Sequence, residues 1–203
     1  MIQVKRTISI VICVIMSAVF AASFAGCGKN NGQSPATSIP IPTNAKGDII
    51  YYSEADFCIM AGEKRIYTGG SAEQLVKDLK KEGFSPVSTD EAESCLFDGK
   101  DITYHYSFGD VFTFPAENGS GNIVDEIYVT GSEVSVKGIR VGSSRLQITA
   151  TLGGGSYEDG NRMIYSMSGD PANKDTEKLL YFYIEDGVVT GIGILANLYH
   201  AGA

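Results

Sequence analysis

Ile66-Tyr67-Thr68-Gly69-Gly70-Ser71-Ala72-Glu73-Gln74-Leu75 and Ile139-Arg140-Val141-Gly142-Ser143-Ser144-Arg145-Leu146-Gln147-Ile148 align without a gap at an offset of 73 residues. In each, a short run ends at a glycine, and a serine, Ser71 or Ser144, stands three residues before a glutamine. A serine hydroxyl so placed accepts from an N–H of the first helical turn while the glutamine reaches back. Both segments therefore predict a strand, a turn and a capped helix start. Leu75, Val76 and Leu79 give the first helix an apolar stripe and Gly83 its exit. Leu146, Ile148 and Leu152 do the same before Gly153.

Downstream of each helix, aromatic and β-branched runs alternate with turn signals. Residues 102–106, 110–114 and 123–129 correspond to 163–167, 179–183 and 188–194, divided by pairs such as Asp98-Gly99, Asn118-Gly119, Asp159-Gly160 and Asp186-Gly187. A hairpin from Phe57 to Tyr67, turning at Ala61-Gly62-Glu63, leads into the first helix. The expected class is α+β: two tandem repeats, each a helix followed by a three-stranded antiparallel meander, preceded by a β-hairpin. Residues 48–137 hold the hairpin and first repeat in this reading, and 138–203 the second.

Gly142-Ser143-Ser144 through Leu152-Gly153, an aromatic strand, Leu180 to Gly187 and a closing Val189-Thr190-Gly191-Ile192 strand resemble the repeat of the β-lactamase inhibitor protein. They also resemble the small lipoprotein subunit of the outer-membrane β-barrel assembly machine. The pattern is similar to that of lipoproteins of Gram-positive anaerobes that carry the repeat twice. The resemblance covers Ile66 to about Leu195 and implies a fold. It implies no β-lactamase inhibition, because no inhibitor contact residue maps onto this chain.

The N-terminus reads as an address. Lys5-Arg6 precede an apolar run from Ile8 to about Ala22, the charged and apolar regions of an export signal. Ala25-Gly26-Cys27 then resembles a bacterial lipobox, with Phe24 where Leu is usual. That resemblance implies a diacylated Cys27, cleavage before it, and attachment to the extracytoplasmic face of the cell membrane. The alternatives are an ordinary secretory signal or an uncleaved membrane helix. Residues 1–26 are the signal peptide in this reading, and 27–47, rich in Gly, Asn, Ser, Thr and Pro, a lipidated tether. A flexible chain of about twenty residues reaches on the order of 25 Å.

Two of the 16 basic and none of the 24 acidic residues lie in 1–26, leaving 14 against 24 and a net charge of −10 beyond the signal. Nucleic acid is thereby disfavoured as a partner, and the lipid rather than a basic patch attaches the protein to the membrane. Beyond the signal and the lipidated residue stand two cysteines, Cys58 and Cys95. In an oxidising compartment they are an expected disulfide, the alternative being two buried thiols.

No catalytic or metal constellation emerges. His105 and His200 are distant from each other and from the cysteines, there is no G-x-S-x-G elbow, and Gly153-Gly154-Gly155 follows a helix instead of preceding one. Asp90, Glu91 and Glu93 are carboxylates of the type used in glycoside hydrolysis, but tryptophan for sugar stacking is absent from the chain. The expectation is a non-enzyme without cofactor or metal. Tyr104 and Tyr106 alternate on one strand, and Tyr181 and Tyr183 on another, so each pair shares a face. Those faces are either core or a joint binding surface. The composite expectation is a lipid-anchored module of the cell envelope that binds a protein or an envelope polymer. An assembly or chaperone-type accessory lipoprotein is the alternative, and a hydrolase the less favoured one.

Overall fold

The computed structural model describes residues 52–198. Cys27, the signal and the tether lie outside the described residues, as does His200. Helix α1 spans Ala72–Lys81 and α2 spans Arg145–Leu152. Ser71 Oγ accepts from the Gln74 N–H at 3.4 Å, and Ser144 Oγ from the Gln147 N–H at 3.2 Å. Each helix start is also hooked to a strand: the Gly69 N–H donates to the Val124 carbonyl at 2.7 Å, and the Gly142 N–H to the Val189 carbonyl at 2.8 Å.

Ten strands accompany these helices among the described residues. β1 (Ile59–Ala61) and β2 (Lys64–Ile66) form a hairpin that is a two-stranded sheet of its own. The other eight are β3 (Ser88–Glu93), β4 (Lys100–Tyr106), β5 (Gly109–Pro115), β6 (Asn122–Val129), β7 (Tyr157–Asp159), β8 (Arg162–Ser166), β9 (Leu179–Glu185) and β10 (Val188–Leu195). They make one antiparallel sheet in the order β3-β4-β5-β6-β10-β9-β8-β7.

This architecture corrects the expected fold class. The described chain is mostly β, with two α-helices of ten and eight residues, and eight of its strands join in one sheet rather than forming a three-stranded meander behind each helix. The two strands missing from the sequence reading are the sheet edges. β3 reads Ser-Thr-Asp-Glu-Ala-Glu and is exposed at all six positions, so it carries no apolar alternation. Acidic side chains on such an edge discourage pairing with another chain. β7 has three residues, one of them part-buried.

The larger of two hydrophobic clusters among the described residues lies between the sheet and the helices, and the smaller, Ile164, Leu179 and Tyr181, lies on the other side. The register sets Tyr104 opposite Val111, Val111 opposite Ile127, Ile127 opposite Ile194, Ile194 opposite Leu180 and Leu180 opposite Tyr165. This row packs with Leu75, Leu79, Ile148 and Leu152 of the helices. Burying an aliphatic or aromatic side chain of this kind contributes roughly 1.5–3 kcal/mol before ordering entropy is subtracted. Leu146 does not join them and is 76% exposed. Two positions along a helix turn a side chain through about 200°, so Leu146 and Ile148 cannot share a face.

The expected Cys58–Cys95 disulfide is not formed. Cys58 is buried with Sγ 3.3 Å from the Ala55 carbonyl, whereas Cys95 is exposed after β3, and both are free thiols. Burial pushes the Cys58 thiol pKa up, favouring the inert protonated form.

Candidate functional site

One residue along each strand from the core row lies a second row, on the sheet face turned away from α1 and α2. It runs Ser88, His105, Asp110, Tyr128, Gly193, Tyr181, Ile164, Tyr157, each paired with the next across all eight strands. Successive side chains of a strand alternate faces, so this row and its neighbours form the open side of the sheet.

The centre of that side is built on glycine. A Cβ on Gly193 would stand 1.9 Å from the Tyr181 ring, and one on Gly191 2.7 Å from the Tyr128 hydroxyl. The two glycines, one strand period apart, thus let two tyrosine rings lie across β10 against bare backbone. Tyr183 closes the cluster, edge-on to Tyr128 at 5.8 Å and to Tyr181 at 5.7 Å. The Arg162 guanidinium sits 6.0 Å from the centroids of both Tyr181 and Tyr183 and is ion-paired with Asp159. The Tyr181 hydroxyl spans β10 to donate to the Glu126 carboxylate. Tyr181 is 7% exposed and its pKa is driven far up, first by burial and then by the Glu126 charge. Tyr128, Tyr157 and Tyr183 stay half-buried, each keeping ring surface for a partner.

Two cavities flank this platform. A 570 Å³ cavity on the β7–β9 side is lined by Tyr157, Asp159, Arg162, Ile164, Leu179 and Leu195. A 310 Å³ cavity on the β4–β6 side is lined by Leu96, Asp101, Thr103, Phe112, Phe114 and Asp125. Asp125 is the extra residue of a β-bulge, since Phe112 pairs with Glu126 and Thr113 with Val124. Its carboxyl pKa is raised to about 6, by burial and then by Glu126 beside it. Between cavity and edge, His105 bridges three strands: Nδ1 lies 2.7 Å from Asp110 of β5, and Nε2 3.1 Å from Asp90 of β3. Those contacts raise the imidazole pKa, with Asp110 the stronger cause.

The tyrosines expected to form one surface are divided between the two faces. Tyr181 and Tyr183 stand on the open side, while Tyr104 and Tyr106 point to the helices. Tyr106 is 6% exposed and stacks on Phe108 at 5.0 Å, so that pair belongs to the core. A joint four-tyrosine surface is therefore corrected to Tyr181 and Tyr183 with Tyr128 and Tyr157. Tyr128, Glu126, Arg162, Asp125 and Phe112 belong to no motif in the sequence. The signal for the tyrosine seat is the Gly191-Ile192-Gly193 spacing, which marks a strand face approached closely by rings.

Comparison with protein-family models, curated proteins and solved structures found no match. The reading of the site therefore rests on its own geometry. Among the described residues no group of three or more His, Cys, Asp or Glu is placed to hold a metal ion, and no helix is long and apolar enough to cross a membrane.

Proposed function

We propose that this chain is a lipid-anchored binding module of the cell envelope, not an enzyme, and that it holds a protein or envelope polymer against the open side of its large sheet. The observation that carries the reading is the asymmetry of the sheet: both α-helices pack on one side, while the other bears a tyrosine cluster seated on glycines, with a cavity to either side. Tyrosine suits such a surface because it offers large area, few rotors and a polar tip. The lipobox at Ala25-Gly26-Cys27 and the spacer after it supply the expected anchorage and reach. The accessory-assembly alternative rests on resemblance alone, and fold does not specify function.

The test places a photo-crosslinking residue at Phe112, on the open side, and at Leu146, on the exposed side of α2, in the full chain in intact cells. Crosslinking to one partner from position 112 and none from position 146 is expected. Equal labelling from both positions, or labelling from 146 alone, contradicts the proposal.

A further inference from the structure

The charges of the open side are mostly matched within it. Arg162 is paired with Asp159, His105 with Asp110 and Asp90, and Glu126 accepts from Tyr181. Asp101 and Asp125 are the exceptions around the smaller cavity. In each, Oδ1 is shielded from solvent and has no hydrogen-bond partner among the described residues. Lys100, the cation nearest in sequence, belongs to the opposite face and is held by Glu91 at 2.7 Å. These two half-buried carboxylates, in a recess lined by phenyl rings, have no cation paired with them among the described residues.

We infer that the open side docks a basic segment of a partner protein, with a lysine or arginine side chain entering the 310 Å³ cavity between Asp101 and Asp125. This inference rests on the binding-face reading above and names the chemistry of its occupant. Phe112, Phe114 and Leu96 supply apolar lining for the methylene stem of such a side chain. The carboxylates that line the recess supply charge-assisted acceptors for the head. The Thr113 hydroxyl is not available as a further ligand, because it donates to the Ile102 carbonyl and accepts from Asn122. Complementarity extends over the whole molecule, whose net charge is −8, so a basic partner is also drawn in at long range.

The experiment is calorimetric titration of the full chain in detergent with a peptide of alternating lysine and serine, and with the same peptide acetylated on every lysine. Three proteins are compared: wild type, Asp101→Asn/Asp125→Asn, and Glu63→Gln/Glu73→Gln. The last removes the same charge from exposed positions outside the cavity. Saturable binding of the lysine peptide is expected, about tenfold or more weaker in the Asp variant, close to wild type in the Glu variant, and lost on acetylation. Equal weakening in both variants means unspecific attraction and overturns the inference, as does calcium binding at these carboxylates without peptide binding. A partner held on the open side with affinity indifferent to Asp101 and Asp125 also overturns it, while leaving the binding-face reading in place. Melting curves of the variants establish that each is folded.

Discussion

Tyr106 and Tyr181 are exposed to 6% and 7% on opposite sides of the same sheet, and their surroundings differ in kind. Tyr106 lies in the helix-side core, stacked on Phe108, with its hydroxyl lacking a partner among the described residues and its pKa raised to about 12 by burial. Tyr181 lies on β10 backbone with its hydroxyl bound by Glu126 and its ring edge on Tyr183. The first tyrosine fills volume. The second is the floor of a surface, buried by the rings around it rather than by a layer of helices. Similar exposure thus hides a difference between a side that stabilises the fold and a side organised to receive something.

The largest effect expected from that difference comes from alanine scanning. Tyr106→Ala should cost about 3–5 kcal/mol, as large-to-small changes in a packed core do. Tyr183→Ala, losing two edge contacts at a half-buried site, should cost roughly 1–2 kcal/mol. Denaturant unfolding of the two variants measures this, and equal losses would erase the distinction between the faces.

Gly193→Ala comes next. Its methyl would meet the Tyr181 ring 1.9 Å away, so the ring must leave its seat and the Glu126 contact with it. Overpacking of this kind costs about 1–3 kcal/mol. The variant should lose Tyr181 protection from iodination as well as stability. A Gly193→Ala protein with wild-type stability and a shielded Tyr181 would show that the glycine seat is not what holds the platform.

A smaller effect, of opposite sign, is expected at Asp125. Its folded pKa of about 6 lies above the ordinary 3.8, so the fold favours the protonated carboxyl. The stability from that preference is fully present below about pH 4 and is lost as pH rises through 6. Asp101 and Glu126 are the titratable groups facing it, and β5 brings phenyl rings instead. Asp125→Asn should therefore stabilise the chain at pH 7.5 by on the order of 1–2 kcal/mol, allowing for partial screening, and leave it unchanged near pH 3.5. A variant destabilised at pH 7.5 would mean that the carboxylate has a structural partner.

The inner strands are legible in sequence because each satisfies two local conditions: β-branched or aromatic alternation and a glycine-bearing turn. Residues 110–114 and 123–129 are examples. The edges fail the first condition. Ser88–Glu93 is exposed throughout and reads as a solvated loop until the Thr89–Tyr104 and Glu91–Ile102 pairs place it in the sheet. The junction of β6 with β10 is likewise invisible, since the Ile127–Ile194 pairing is between residues far apart in the chain. That junction decides the fold class, and it also decides which tyrosines face which way. Tyr-x-Tyr occurs on both β4 and β9, and local alternation makes each pair co-facial, but it cannot relate the face of one pair to that of the other. The sheet register does so, by placing Tyr181 opposite Gly193 and Tyr104 opposite Val111. The acidic recess was hidden for a similar reason: Asp101 and Asp125 come from different strands, and Asp125 faces the recess only through a bulge.

The central claim is that the open side of the sheet is where this protein binds. Backbone amide shift mapping of the isotopically labelled full chain during titration with the alternating lysine and serine peptide tests it most directly. The account predicts saturable shifts concentrated at Thr103, Phe112, Asp125, Tyr128 and Tyr183, with Gln74, Leu79, Leu146 and Thr149 unmoved. Shifts centred on α1 and α2, or spread evenly over both sides of the sheet, would contradict it.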